Sequence, residues 1–568
     1  MNGMNIPALM HPKALPAILL LSFFLLAYIL PLGARDLAVP DETRYGEIPR
    51  EMIASGDWIV PRLDGVRYFE KPVMGYWVQA GSLRLFGENN FAVRLPSALA
   101  VGLAALLIWL LVGRAIPGRD RENRFMAFLA ALIFLSCFEV FGVGNAAVLD
   151  SLLAFFLTAC IAAFYRATES PPGGYREKGF LMLAGLACGL AFLTKGFLAI
   201  AVPVMVLAPY LIWQRRYADL LRMTWLPILT AVVVALPWSV LIYWKEPDFW
   251  RFFFWNEHIR RFMADNAQHK EAFWFFFLAA PGMFLPWTFV VPAAVSGVRT
   301  RLIEQGAVSR LLKLCICWLV LPFLFFSLSK GKLLTYILPC FPPFAILMAF
   351  GLSQMLAQAP RSKLFQRGVA ASAALFGLIL VAFLCVQAVG IHGKPLFSQP
   401  WKVVMIVNGL LFFVLLGIWS IRNQSAHTKL ILFGLSPALL FLVVHFTIPD
   451  MINVKKSPGS FLEKHKPAVA ADTVVISEDD LIRATCWYLR RSDVYALGKG
   501  GELKEGMRYK DAKGRLLDIE SAAELIDQNR GKTILIAKAK TLSHLQNALP
   551  RPVAQDQSGP SGYALWKY

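Results

Sequence analysis

Pro40-Asp41-Glu42-Thr43-Arg44-Tyr45 lies just past the first long apolar run of the chain, Ala14 to Leu32. Tyr68-Phe69-Glu70-Lys71-Pro72 follows before the next apolar run begins. Charge is expensive in and beside hydrocarbon, so a dense charged segment between apolar runs marks a polar site at a membrane boundary. The apolar runs around it decide the fold class. Of 568 residues, 57% are hydrophobic and 13% aromatic, as expected of a polytopic membrane protein and not of a soluble one.

A span needs roughly 20 mostly apolar residues, and that window finds about 13 candidates. They centre near Leu25, Leu106, Leu132, Phe156, Leu186, Val204, Val233, Val290, Leu319, Ile346, Phe376, Val407 and Leu439. Alternate loops between them are basic: Arg114 to Arg124, Arg166 to Lys178, Arg215 to Arg222, Arg299 to Lys313, Arg361 to Arg367, and Arg422 to Lys429. Basic loops stay cytoplasmic. The N-terminus is then expected inside, and Gly33–Arg94, Lys245–Glu271 and the tail outside. The first run lacks a small-residue cleavage site and reads as a retained helix. Much of the net charge of +20 sits in those loops. There it sets topology and meets anionic head groups, so membrane lipids are the expected partner and nucleic acid is not.

Glu42 to Ala54 and Val73 to Phe86 carry helical patterns suited to the membrane interface. From about Val454 the chain turns polar. It has β-type runs at Thr473–Ile476 and Thr533–Ile536 and a helix-like stretch from Ser521 to Asn529. The expected fold is an all-α polytopic membrane unit over 1–450, with juxtamembrane helices near 41–90, and a small outer α/β domain over 451–568. Cys137, Cys160, Cys188, Cys315, Cys317, Cys340 and Cys385 lie in apolar stretches, and Cys486 lies in the tail. Their spacing forms neither a disulfide framework nor a metal site.

Asp41 follows a proline and is placed to cap a helix. Yet Arg44 and Tyr45 fall one turn on, on the same face, which favours a polar site. Asp150 opens a later span on the same side, so two carboxylates at one depth could hold a cation or an amino group. Lys195, in Leu193-Thr194-Lys195-Gly196, sits on an outward return where topology needs no positive charge. Lys71, Arg67, Lys330 and Lys332 repeat that excess, which suits an anionic ligand such as phosphate. Pro339, Pro342 and Pro343 should distort the span that Lys330-Gly331-Lys332 opens, and Tyr336 would point its hydroxyl into the resulting cavity. His258, in Asn256-Glu257-His258, could make a partial metal site with Glu70.

Together these segments resemble the polyprenyl-phosphate-dependent glycosyltransferases of the GT-C fold, which include the protein O-mannosyltransferases. The likeness rests on Pro40-Asp41-Glu42-x-Arg44-Tyr45, Ser55-Gly56-Asp57-Trp58, Tyr68-Phe69-Glu70-Lys71-Pro72 and Arg94-Leu95-Pro96. It extends through Leu193-Thr194-Lys195-Gly196, Lys330 to Pro339 and the tail's Gly501-Glu502-Leu503-Lys504. These point to the branch that transfers 4-amino-4-deoxy-L-arabinose to lipid A. One departure is Val73, where the family usually has a second proline.

The resemblance implies a fold of about 13 transmembrane helices in the bacterial inner membrane, with site and tail facing the periplasm. It implies transfer of the sugar from undecaprenyl phosphate to a lipid A phosphate by a monomer. Asp41 and Asp150 would be the catalytic carboxylates. Glu42, Arg44, Tyr45, Tyr68, Lys71, Lys195, Lys330, Lys332 and Tyr336 would bind substrate. No cofactor follows from the residues themselves; the resemblance places a divalent ion, Zn or Mg, at Glu70 and His258. A lipid-linked donor needs no nucleotide fold, and none is signalled. A protein hydroxyl as acceptor would make Asp41 a true base. A lipid flippase would instead spread charge through the midplane of related halves.

Overall fold

The computed structural model describes residues 15–114, 120–260, 270–303, 307–391, 393–559 and 562–568. Ala14 of the first apolar run and Arg119 of the first basic loop lie outside them. Among the described residues nine helices are long and apolar enough to cross a membrane, or up to eleven if each of two bent pairs is one span. The pairs are Glu122–Ser136 with Phe138–Gly144, bent by 69°, and Phe275–Met283 with Trp287–Thr300, bent by 98°. Pro286 stands in the second break, where it supplies no N–H to a helical ladder. Leu15–Ile29 and Leu198–Trp213 are shorter apolar helices.

Burial orders the bundle. The Asp150–Thr168 helix is its centre, with 83% of its apolar window buried, whereas Asp219–Lys245 has 11% and lies at the periphery. The Tyr175–Lys195 helix crosses from Glu177 to Lys195 and so defines two ends. At the Glu177 end, Arg222 forks onto Glu177 at 2.7 and 2.8 Å, and Arg310 forks onto Glu169 at 2.9 and 2.7 Å. The basic loops therefore gather opposite Lys195.

At the Lys195 end the chain builds a cap. A helix over Asp41–Ser55 ends at Gly56, whose φ of 71° few other residues adopt. A short hairpin follows, β1 (Arg62–Leu63) against β2 (Val66–Arg67), then a helix over Met74–Phe86. Both helices fall where periodicity expects them. In the first of them, Glu42 through Met52 are all buried. The tail covers them: Trp487 of the tail helix Ile482–Leu489 lies against Gly46, where a Cβ would come within 3.1 Å of the indole. Glu47 and Arg50 answer that burial by pairing at 2.5 and 2.7 Å.

The tail is a mixed sheet flanked by helices, as its polar, β-rich sequence predicts. Its strands are β3 (Val474–Glu478), β4 (Tyr495–Leu497), β5 (Leu516–Leu517), β6 (Thr533–Lys538), β7 (Ala554–Gln557) and β8 (Tyr563–Lys567), in the order β5-β4-β3-β6-β8-β7. β3, β4, β5 and β6 run parallel, and β8 is antiparallel to β6 and β7. The helix Ile519–Gln528 crosses between β5 and β6, with Asp518 accepting from Ser521 N at 2.8 Å as its cap.

Close helix packing sets one clear expectation. A Cβ on Gly351, in the Phe341–Gln358 helix, would land on the carbonyl oxygen of Ala294 in the neighbouring Val291–Ile303 helix. Gly351→Ala should cost about 1–3 kcal/mol through forced separation, seen as a lowered unfolding midpoint in detergent. Gly377→Ala, where nothing lies within 4 Å, should not lower it.

Candidate active site

Glu42 is the first fixed point of the site. It is 3% exposed. Arg35 approaches it at 2.6 and 2.9 Å, Arg94 at 2.8 and 2.9 Å, and the N–H groups of Ala38 and Ala147 at 2.8 and 3.2 Å. Burial alone would raise its carboxyl, but Arg94 and then Arg35 outweigh that and hold it far below the carboxylate range. Expected to bind substrate, Glu42 instead has both oxygens committed inside the protein. Arg94 extends the knot to the carbonyls of Leu32, Arg35 and Asp36 at 2.7–2.8 Å. The knot ties the first apolar helix, the Asn90–Val112 helix and the start of the Asp41–Ser55 helix together.

Asp41 opens that helix but caps nothing, since Pro40 is the N-cap and no side-chain cap bond forms. Its carboxylate, 55% exposed, pairs with Arg44. Arg44 also donates to Glu502 of the tail at 2.6 Å and to the Tyr68 hydroxyl at 3.3 Å, and it lies over the Tyr45 ring at 4.8 Å. The Tyr68 hydroxyl in turn reaches Glu70 at 2.9 Å and Glu502 at 3.3 Å. Burial would raise the Glu502 carboxyl; Arg44 and Arg483 overcome it and hold it below the usual range. Residue spacing gave no sign of Glu502 in the site. The only signal was the Gly501–Lys504 motif, and it said nothing of what that carboxylate meets.

A second cluster lies beside the first. Lys195 Nζ donates to Asp150 at 2.6 Å and stands 5.4 Å from the centre of the Tyr336 ring. Leu149 is the N-cap there, so Asp150 is turned to the lysine and not to its own backbone. Asp150, Lys195, Thr335 and Tyr336 line a narrow crevice with Leu153, Phe326 and Pro339. Leu334–Cys340 winds as a 3-10 helix before the Phe341–Gln358 helix, as the three prolines imply. Tyr45 joins the clusters. Its hydroxyl is pushed above the usual range by burial first and then, against Arg44, by Asp41, Asp150 and Glu502.

The remaining candidates divide. Lys71 Nζ donates to the Glu70 carbonyl at 2.8 Å, on the same stretch as Tyr68. Lys332 turns to the carbonyls of Glu271, at 2.8 Å, and Ser329, and its burial depresses its ammonium. Its reach is spent on the main chain, unlike the expected ligand contact. Lys330 lies on that same turn, its carbonyl accepting from Glu271 N at 3.1 Å. The backbone of His258 lies in the helical stretch Phe252–Arg260, and its side chain lies outside the described residues. Among the described residues no group of three His, Cys, Asp or Glu could hold a metal ion.

Residues 13–253 match the family described as dolichyl-phosphate-mannose-protein mannosyltransferase, and residues 453–566 match the arabinosyl transferase ArnT C-terminal domain. The chain is 40% identical over 548 residues to an undecaprenyl phosphate-alpha-4-amino-4-deoxy-L-arabinose arabinosyl transferase of Shewanella sediminis, covering 96% of each. It is 41% identical over 500 residues to the protein of that name from Aeromonas salmonicida, covering 87% of this chain and 88% of that one. In fold it is similar to ArnT from Cupriavidus metallidurans bound to undecaprenyl phosphate, with a TM-score of 0.82, 23% identity, and 97% and 98% of the two chains covered.

The Glu42 knot predicts a split between two adjacent carboxylates. Glu42→Ala leaves two guanidinium groups buried without their counterion and should cost about 3–5 kcal/mol, seen as loss of folded protein from membranes. Asp41→Asn, at a half-exposed position, should accumulate normally.

Proposed function

Since the chain belongs to the undecaprenyl phosphate-alpha-4-amino-4-deoxy-L-arabinose arabinosyl transferase family, we propose that it moves this amino sugar from undecaprenyl phosphate to a phosphate of lipid A. It is a membrane glycosyltransferase with a lipid-linked donor. The observation that carries the residue assignment is the pair of charge clusters, Asp41–Arg44–Glu502 with Arg44 over the Tyr45 ring, and Asp150–Lys195 beside Tyr336. Arg44, Lys71 and Lys195 hold phosphate oxygens, with the Tyr68 and Tyr336 hydroxyls beside them. As the anomeric C–O bond breaks, charge grows on the leaving undecaprenyl phosphate, and fixed cations stabilise it most at that moment. The attacking oxygen belongs to a phosphate that is already anionic, so no strong base is needed. Asp41 then orients Arg44 and the incoming acceptor, while Asp150 sets the Lys195 ammonium. Glu42 acts from below, by fixing the helix that carries Asp41 and Arg44.

The proposal includes a location. Counting each bent pair and both shorter apolar helices as crossings yields about 13 spans, an odd number. With the basic loops in the cytoplasm, the site and the tail over 451–568 face the periplasm, above a membrane unit over 1–450. The proposed assembly is a monomer.

Three outcomes are expected. Asp41→Asn should abolish aminoarabinose on lipid A by mass spectrometry at equal membrane protein levels, whereas Asp472→Asn, on the tail surface, should leave it unchanged. Lys71→Ala and Lys195→Ala should each cut turnover by about tenfold or more, the loss of one charge-assisted contact worth about 1.5–3 kcal/mol. A normal signal from Asp41→Asn would remove that carboxylate from the mechanism. A reporter fused after Tyr568 should be active only on the periplasmic side; cytoplasmic activity would invert the topology.

A further inference from the structure

Arg67 stands one residue before the Tyr68–Lys71 stretch and ends β2. Neighbouring side chains of an extended strand point to opposite faces. The Tyr68 hydroxyl meets Arg44 and Glu502, while the Arg67 guanidinium meets a different set. Its Nε donates to Glu246 at 2.7 Å, and its Nη1 lies 2.7 and 2.6 Å from the two oxygens of Asp511. The guanidinium plane lies over the Tyr509 ring at 4.4 Å, and Tyr509 donates to Asp248 at 3.2 Å. A Cβ on Gly506 would strike the Arg67 carbonyl, so the tail backbone lies directly on the strand.

One tail segment, Gly501 to Asp511, therefore grips consecutive residues from both faces. Glu502 holds Tyr68; Gly506, Tyr509 and Asp511 hold Arg67. On the membrane side, Glu246 and Asp248 follow the Trp225–Lys245 helix and complete the grip. An exposed ion pair contributes little to stability. This one is different in kind: two carboxylates from remote segments and an aromatic face share one planar fork, which a single lysine nitrogen cannot replace.

We infer that Arg67 is a positioning residue, whose guanidinium ties the tail and the outer end of the Trp225–Lys245 helix to the stretch carrying Tyr68 and Lys71. The phosphate-holding geometry then depends on the docked tail, and the tail is part of the transferase site. The inference rests on the reading that Tyr68 and Lys71 contact the donor.

The test uses the full chain purified into lipid vesicles, with the lipid-linked amino sugar as donor and lipid A as acceptor. Arg67→Ala should lower kcat by about tenfold per folded molecule while the KM for lipid A stays within about twofold. Arg67→Lys should recover part of the loss, because an ammonium still pairs with one carboxylate. Asp511→Asn should give a smaller loss, and the double variant Arg67→Ala/Asp511→Asn should be no worse than Arg67→Ala alone, as for groups acting through one contact. A kcat within twofold of normal in folded Arg67→Ala protein overturns the inference, and so does an additive double variant. Should Arg67→Ala fail to fold, Asp511→Asn decides: a kcat within about a fifth of normal there overturns it. Lys71→Ala runs in parallel. Normal turnover in that variant fails the underlying donor-site reading, whereas an inactive Lys71→Ala beside a normal Arg67→Ala fails the positioning role alone.

Discussion

The arrangement turns on one buried carboxylate. Glu42 sits 3% exposed at the end of a hydrophobic bundle, and only its two arginines and two backbone N–H groups make that tolerable. Those partners come from three segments: the link between the first apolar helix and Asp41, the Asn90–Val112 helix, and the loop before Asp150. Desolvation works here as a constraint on geometry. Any displacement of one segment leaves a charge uncompensated, so the positions of Asp41 and Asp150 are coupled through Glu42. The exposed Asp41 can then pair with Arg44 on a helix whose start does not drift.

The tail adds a second layer of the same kind. Asp64, at the tip of the β1–β2 hairpin, is fully buried in the tail, where Arg515 pairs with it at 2.7 Å and Val494 N and Cys486 donate to it at 3.0 and 3.3 Å. Asp36 receives Ser460 N and its hydroxyl at 2.8 and 2.7 Å. The docking surface is thus built from directed polar contacts over an apolar floor of Trp487 and Tyr488. Apolar burial gives such an interface its strength, and charged contacts fix its register. Register is what the site requires, because Glu502 must meet Arg44 from a residue more than four hundred positions away.

The sequence carries the elements and withholds the contacts. Apolar runs and basic loops predict the bundle and gather the cations opposite Lys195. Periodicity finds the Asp41–Ser55 and Met74–Phe86 helices within a residue or two, since both end at a glycine of positive φ, Gly56 and Gly87. Asp41 with Arg44 is legible as an i,i+3 pair, because helix geometry alone makes them neighbours. Glu42 and Asp41 are adjacent and chemically alike, and only the fold shows that one is buried and the other half exposed. Lys332 reads like Lys195 by charge, yet it satisfies carbonyls, because its turn is folded against Glu271. Glu502 and Arg483 belong to the far end of the chain, and no local pattern couples them to Arg44.

The charge balance of the site fits a substrate that brings its own negative charge. Two cations of the clusters are already matched by carboxylates: Arg44 by Asp41 and Glu502, Lys195 by Asp150. Left unmatched in a low-dielectric setting, they would shift or fold away. On the proposed reading, an entering phosphate would compete with these resident carboxylates. Its gain is the difference between two strong pairings, which is small in the ground state. Charge that develops on the leaving phosphate raises the pull of the same cations without any need to reorient them. If Arg44 and Lys195 hold the phosphates as proposed, their carboxylate partners would limit tight binding of the phosphate while sparing the interaction that grows during transfer, which is the condition for binding energy to appear in turnover.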